Sequence, residues 1–269
     1  NLILLDEAPV YNSSHLFGFF SVFNPDAGKD VKLIKGGIPA QYGGRVSSIL
    51  DVRMKEGNSK RLAVTGGVGT IFSRLSIEAP IIKDKASFIV AIRRSYLDAL
   101  VKPFLKETNA LKKADFYFYD FTAKFNWRIN DKNTVFASGY LGRDVFGASI
   151  FKFNWGNSTT TARWNHIFNK KLFMNITGFY SNYDYLIDFT APSGRGFNWK
   201  SNVINYSLKP DFTYFYNSRN TIRFGAQALL FDFRPYDATG TFSGTKVKFL
   251  SDKRYGVEYS AYLGNEQKI

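Results

Sequence analysis

The sequence has no cysteine and only two histidines in 269 residues. Without cysteine there is neither a disulfide framework nor a thiolate metal site. His15 and His166 stand far apart with no metal-ligand spacing, so no metal and no cofactor is expected. A Ser-His-Asp arrangement would need one of them beside a serine, and no nucleophile motif is present. The glycines between Gly36 and Gly44 match neither a Walker nor a dinucleotide fingerprint. This inventory speaks against an enzyme. No apolar run is long enough for a transmembrane helix. No signal peptide is visible either, but a secreted chain would already have lost it.

Aromatic residues, in contrast, are abundant. Phe, Tyr and Trp make up 17% of the chain, while mean hydropathy is −0.21. A soluble β-sandwich fits both facts. So does a membrane barrel, whose alternating lipid-facing and lumen-facing residues average out as polar. The net charge is +14 and unevenly spread: six basic residues balance six acidic ones in residues 1–58, so the whole excess follows. The cations scatter over turns and strand ends without forming a stripe or a helix face, which argues against a nucleic-acid partner.

Residues 1–58 read as a small α/β unit. Leu2–Leu5 is a strand, Asp6–Val10 bends it, and Tyr11–Phe20 is a loop. Asn24 and Pro25 have the chemistry of an N-cap and a first helical position, which predicts a helix of one or two turns before the strand Val31–Ile34. Ile49–Met54 is a further strand. From Arg61 onward, short polar turns recur at 83–85, 130–133, 169–171, 217–220 and 264–266. Long connections are expected at about 97–115, 144–158, 187–200 and 233–252. Tight turns alternating with long loops suit an outer-membrane barrel. In Tyr117–Arg128 one face is Tyr117, Tyr119, Phe121, Ala123, Phe125 and Trp127; the other is Phe118, Asp120, Thr122, Lys124, Asn126 and Arg128. Which face is outside does not follow from alternation alone. The terminal aromatics and the strand lengths favour a membrane. About ten strands are expected, with another beginning at Lys268–Ile269.

The ordered string from Val31 through Lys35, Gly36, Gly37, Pro39, Tyr42, Gly43, Gly44 and Arg45 resembles the end of a plug domain in TonB-dependent outer-membrane receptors. Leu4–Val10 is similar to the upstream plug strand, which in that family reads as an apolar run, Asp-Gly, then Pro-Val. Lys35 replaces the usual Arg, an extra residue separates Gly36 from Pro39, and Ser47 and Ser48 stand where glycines are common. These variants look like the branch carrying an N-terminal carboxypeptidase-regulatory-like domain. The motif resemblance covers residues 2–56; beyond them it is one of rhythm.

The resemblance implies a mostly β fold: the C-terminal part of a plug (1–58) followed by the N-terminal half of a transmembrane antiparallel barrel (59–269). About ten strands of roughly 22 would be present. It implies TonB-dependent import of a scarce small ligand across the outer membrane of a Gram-negative cell, with plug rearrangement gating the lumen. The alternative is a receptor-like barrel serving as a structural subunit of a larger outer-membrane complex. Expected partners are TonB, through a segment outside this chain, outer-membrane lipid including lipopolysaccharide, and a lipoprotein or other outer-membrane subunits. Lys35 is expected either to latch the plug to a wall carboxylate, with Glu78 one candidate, or to be a solvated strand-end lysine. Tyr11, Asn12, Ser14 and His15 would form a ligand-facing plug apex or a structural cap. Lys102, Lys106, Lys112, Lys113, Arg195, Arg234, Lys246 and Lys248 would form a basic outer rim, drawing in an anionic ligand or contacting lipopolysaccharide phosphates.

Overall fold

The computed structural model describes residues 1–44, 47–106, 112, 114–148, 150–242 and 245–268. Arg45 of the plug motif, Lys113 of the basic rim and Ile269 lie outside them. The first part of the chain forms β1 (Leu2–Leu5), β2 (Ala8–Pro9), β3 (Ser14–His15), β4 (Phe20–Ser21), β5 (Gly28–Lys35) and β6 (Ser48–Met54). Four of these make one mixed sheet in the order β2-β1-β6-β5, with β1 parallel to β6; β3 and β4 pair separately. A short cluster of Leu5, Val10, Val22, Val52 and Met54, joined by Tyr140 from the following sheet, closes its core.

The helix expected at Asn24 is absent. Asn24 does cap: its Oδ1 accepts from Asp26 N at 3.0 Å, and its carbonyl accepts from Ala27 N and Gly28 N at 3.1 Å each. After that single turn the chain enters β5, because Gly28–Lys35 finds a full strand partner in β6. Cap chemistry fixes where a turn starts, and tertiary pairing decides whether a helix follows.

The remaining strands are β7 (Ala63–Val68), β8 (Phe72–Ile82), β9 (Ala86–Ser95), β10 (Asp115–Asn130), β11 (Asn133–Ala148), β12 (Phe151–Ile167), β13 (Leu172–Thr190), β14 (Gly196–Phe215), β15 (Asn220–Phe242), β16 (Thr245–Leu250) and β17 (Arg254–Gln267). They form one antiparallel sheet of neighbours in chain order, and β15 is long enough to pair with β17 along its first half and β16 along its second. A short helix, α1 (Leu97–Val101), followed by a 3-10 turn at Lys102–Phe104, lies in the β9–β10 connection. Among the described residues no helix is long and apolar enough to cross a membrane.

Two expectations about connections are corrected. Gly264–Glu266 is not a turn: these residues pair with Arg223, Ile222 and Thr221 and continue β17. The supposed loops at 144–158, 187–200 and 233–252 are largely hairpin, since β11 runs to Ala148 and β12 resumes at Phe151. Their polar residues read as loop, yet the ladder carries on beyond the apolar part of each strand.

Burial settles which face is outside. On β10, Asp120, Thr122 and Lys124 are at most 8% exposed, while Phe121 and Trp127 are about 40% exposed. On β13 and β14 the buried residues include Thr177, Ser181, Asn205 and Ser207, whereas Tyr206 and Leu208 face outward. A sheet in water hides its apolar face; this one hides the polar face around the small mixed sheet and shows the apolar one. Such an inversion is stable where the surroundings are hydrocarbon.

Candidate functional site: the seam between plug and wall

The geometry centres on the β1–β2 turn. Asp6 and Glu7 both have left-handed backbone, with φ of 45° and 76°, as a two-residue hairpin of this type requires. The turn thrusts two carboxylates into the wall. Asp6 Oδ2 lies 3.0 Å from Lys124 Nζ on β10, and Asp6 Oδ1 accepts from Met54 N at 3.1 Å. Glu7 Oε1 accepts from Arg163 on β12 at 2.6 Å and from Arg53 on β6 at 3.2 Å. Its other oxygen is 3.8 Å from Lys209 on β14. Burial alone would raise the Glu7 pKa, but Arg163, Lys209 and Arg53 together hold it below the usual value. Three alternate strands thus each supply one inward cation to one acidic turn.

Tyr42 of the plug motif belongs to the same network. Its hydroxyl donates to Asp51 at 3.4 Å, Asp51 holds Arg53 through two nitrogens at 2.8 and 3.1 Å, and Lys209 stands 5.7 Å over the Tyr42 ring. Gly36, Gly37 and Gly44 take left-handed backbone, the conformation that favours glycine. Gly43 does not; a Cβ there would lie 4.0 Å from the Ser260 side chain on β17. A cavity of 770 Å³ opens beside this network, lined among others by Glu7, Arg53, Lys209, Arg223 and Tyr262.

A second fastening lies at the β3 loop. His15 Nδ1 is 2.7 Å from Asp144 Oδ2 on β11, its Nε2 is 3.5 Å from Asp120 on β10, and its ring stacks on Phe118 at 4.3 Å. Asp144 also accepts from Leu16 N at 2.8 Å. Arg93 on β9 donates to Asp120 at 2.7 Å and to the Ser21 carbonyl at 2.7 Å. All four charged groups are at most 5% exposed. Burial lowers the His15 pKa, but the two aspartates outweigh it and the net direction is upward.

These positions correct part of the apex reading. His15 is sealed in the seam and has no open face to offer a ligand. Asn12 and the Tyr11 backbone are held by Asn157 on β12, whose amide donates to Asn12 O at 2.8 Å and accepts from Tyr11 N at 3.1 Å. The Tyr11 hydroxyl meets Asn205. Ser14 turns inward to Asn12. What does project toward the long-hairpin end is Phe17, 60% exposed, on a left-handed backbone. Its ring lies 4.9 Å from Trp155 and 5.9 Å from Phe146. Lys35 is exposed and Glu78 half-buried; they form no ion pair with each other among the described residues. The plug–wall pairs run instead through Asp6, Glu7, His15 and Asp26, the last bound by Arg74 at 2.9 Å. The signal for the first two was in the sequence: two adjacent carboxylates at a turn, and Lys124, Lys209 and Arg163 on inward faces.

No protein-family model and no curated protein matches this chain. Solved structures do. The copper transporter OprC superposes with a TM-score of 0.72 over 98% of this chain and 44% of its own, at 11% identity. The ferric citrate transporter FecA, in its unliganded form, gives 0.65 over 100% and 45%, at 10% identity. The siderophore receptor PiuA from Acinetobacter baumannii gives 0.63 over 98% and 47%, at 12% identity. At such identities the likeness is one of fold, and the chain spans less than half the length of each of the three.

Proposed function

We propose, from the premise that the chain has the plug-and-barrel fold of TonB-dependent outer-membrane receptors, that it belongs to an importer of a scarce ligand. On this reading residues 1–58 are the end of the plug and 59–269 the first half of the barrel. The observation that supports gating best is the nature of the seam. Charge pairs and hydrogen bonds fasten the plug, beside apolar contacts such as Ala27 with Ile89 and Ala91, Ala8 with Phe179 and Leu229, and Phe20 with Phe72 and Phe118. The polar contacts exchange for water with modest net loss, so a plug held this way can be seated firmly and still be moved. Phe17 and its aromatic neighbours are the ligand-facing surface in this account, with Tyr11 at their margin. TonB, a lipoprotein subunit and lipopolysaccharide are the partners the reading brings with it.

The test uses the lack of cysteine in these 269 residues. A double variant, Asn12→Cys with Asn157→Cys, places a thiol on each side of the seam where plug and wall touch. In cells whose growth under nutrient scarcity depends on the full-length protein, the oxidised variant is expected to abolish growth and a reductant to restore it. Undiminished growth with the cross-link formed would favour the structural-subunit reading.

A further inference from the structure

Cations that scatter through the sequence in short turns are gathered by the fold on one rim. The successive hairpins β8–β9, β10–β11, β12–β13 and β14–β15 all turn at the same end of the sheet. They carry Lys83 and Lys85, then Lys132, then Lys170 and Lys171, then Arg219, all exposed. Asp84 and Asp131 stand among them, also exposed. None of the six cations forms an ion pair among the described residues, unlike Lys29 with Glu56 or Arg223 with Glu266.

The turns are also built alike. Asn130 Oδ1 accepts from Lys132 N at 3.0 Å, Asn169 Oδ1 from Lys171 N at 2.9 Å, and Asn217 Oδ1 from Arg219 N at 3.0 Å. Asn58, ahead of β7, accepts from Lys60 N at 2.9 Å. The neighbouring Ser59 carbonyl accepts from Asp84 N at 2.9 Å, which ties this segment to the β8–β9 turn. An asparagine bonded to its own backbone two residues on fixes the shape of a turn. The bond uses only a backbone N–H, so any residue but proline could stand at that second position. In all four cases it is a cation.

Spacing and height bear on what these cations meet. Neighbouring hairpin turns are two strands apart, which at about 4.8 Å per strand and a tilt of about 40° is roughly 12 Å along the rim. A small anion cannot bridge that gap and would gain only the weak return of one exposed charge pair. A partner carrying anions at intervals engages several turns together and gains by multivalency. Trp127, Val135 and Trp164 stand in register on the outward face, as in the aromatic girdle that edges the apolar band of such barrels. The turn tips lie about four residues further, roughly 10 Å along the axis. A headgroup layer is about 5–8 Å deep, so the tips reach past it into water.

We propose that this rim docks on a carboxylate-bearing polymer beneath the outer membrane, the peptidoglycan, its turn cations meeting carboxylates of the peptide stems. The inference rests on reading the sheet as an outer-membrane barrel with its tight turns in the periplasm, and does not depend on import.

The experiment is co-sedimentation of the full-length protein, in detergent, with purified peptidoglycan sacculi. At low salt the wild type is expected to pellet about ten-fold more than a variant combining Lys60→Gln, Lys132→Gln, Lys171→Gln and Arg219→Gln, which keeps every asparagine bond. High salt is expected to release it, and amidating the sacculus carboxylates to lower its binding to the level of the variant. Equal pelleting of wild type and variant, or undiminished binding to amidated sacculi, overturns the proposal. So does a wild type that stays in the supernatant; if it then retains phosphatidylglycerol in native mass spectrometry and the variant does not, the rim is a lipid contact instead. Heat-modifiable gel mobility checks that the variant is folded. Recovery of the wild type in a detergent-free soluble fraction would strike at the barrel reading itself, whereas failure in the sacculus assay alone leaves that reading standing.

Discussion

Glu7 occupies a backbone conformation that costs an L-residue roughly 1–2 kcal/mol, at a position where the resembling family has glycine. The three cations around its carboxylate give a reason for the exchange. Glu7→Gln leaves Arg163 and Lys209 facing an uncharged amide in a half-buried seam, and the expected cost is below the roughly 3–5 kcal/mol of stripping one partner from a fully buried pair. Glu7→Gly relaxes the backbone but loses the same pairs, so it too is expected to loosen the plug. Hydrogen exchange of the β1–β2 amides in the full-length protein measures both; a glycine variant as protected as wild type would mean that turn shape, not charge, does the holding. His15 makes the opposite end pH-sensitive. Its folded pKa is raised, so its contribution is complete below the free value of about 6.5 and is lost as pH rises through the folded value. Glu7, with a depressed pKa, contributes above about 4.5 and loses its contribution as pH falls through the folded value. The groups facing His15 are Asp144, Asp120 and, through Asp120, Arg93. Protection of residues 11–22 is therefore expected to fall from pH 6 to 9 in the wild type and to stay level in His15→Gln. Parallel pH curves would remove His15 from the explanation.

At the scale of elements, strand existence and alternation were legible because period-2 patterning is local. The side facing lipid was not: it depends on what the other face covers, and only the seated plug shows that Thr122 and Lys124 are inside. Turn chemistry was legible in part. Asn24 capped a turn as its side chain dictates, but the strand β6 waiting opposite β5 ended any helix. Gly264–Glu266 carries turn residues and remains strand, since Thr221–Arg223 offers the pairing. The seam was hardest to see, because an adjacent Asp6 and Glu7 read as an ordinary polar turn until three distant strands converge on it. The orientation of the strands has its own test. Leu208→Arg, on the outward face, is expected to cost about 2–4 kcal/mol near the bilayer midplane. Ser207→Thr, one residue away on the inward face, is expected to change stability far less. Urea titration in lipid vesicles compares them, and equal effects would contradict the assigned faces.

For the whole molecule, a polar seam and an apolar exterior predict separable stabilities. The sheet is secured by its continuous ladder and by lipid, whereas the plug depends on contacts that water and denaturant replace. In the full-length protein in detergent, plug amides such as those of Leu4 and Val52 are expected to exchange at urea concentrations that leave β12–β14 protected. Simultaneous loss would show the two parts to be one cooperative unit.

The arrangement of β1 has a mechanical corollary. It is only four residues long, with β2 on one edge and β6 parallel to it on the other, and its far end carries the Asp6–Glu7 turn anchored to three wall strands. Tension applied across β1 would peel its ladder bond by bond, a low-force event. Tension along its axis would load all its bonds at once together with the anchored turn, and would meet much greater resistance. The same few residues can then act as clasp or as zipper depending only on the direction of pull, so the angle of an applied force, as much as its size, would set the work needed to draw the plug aside.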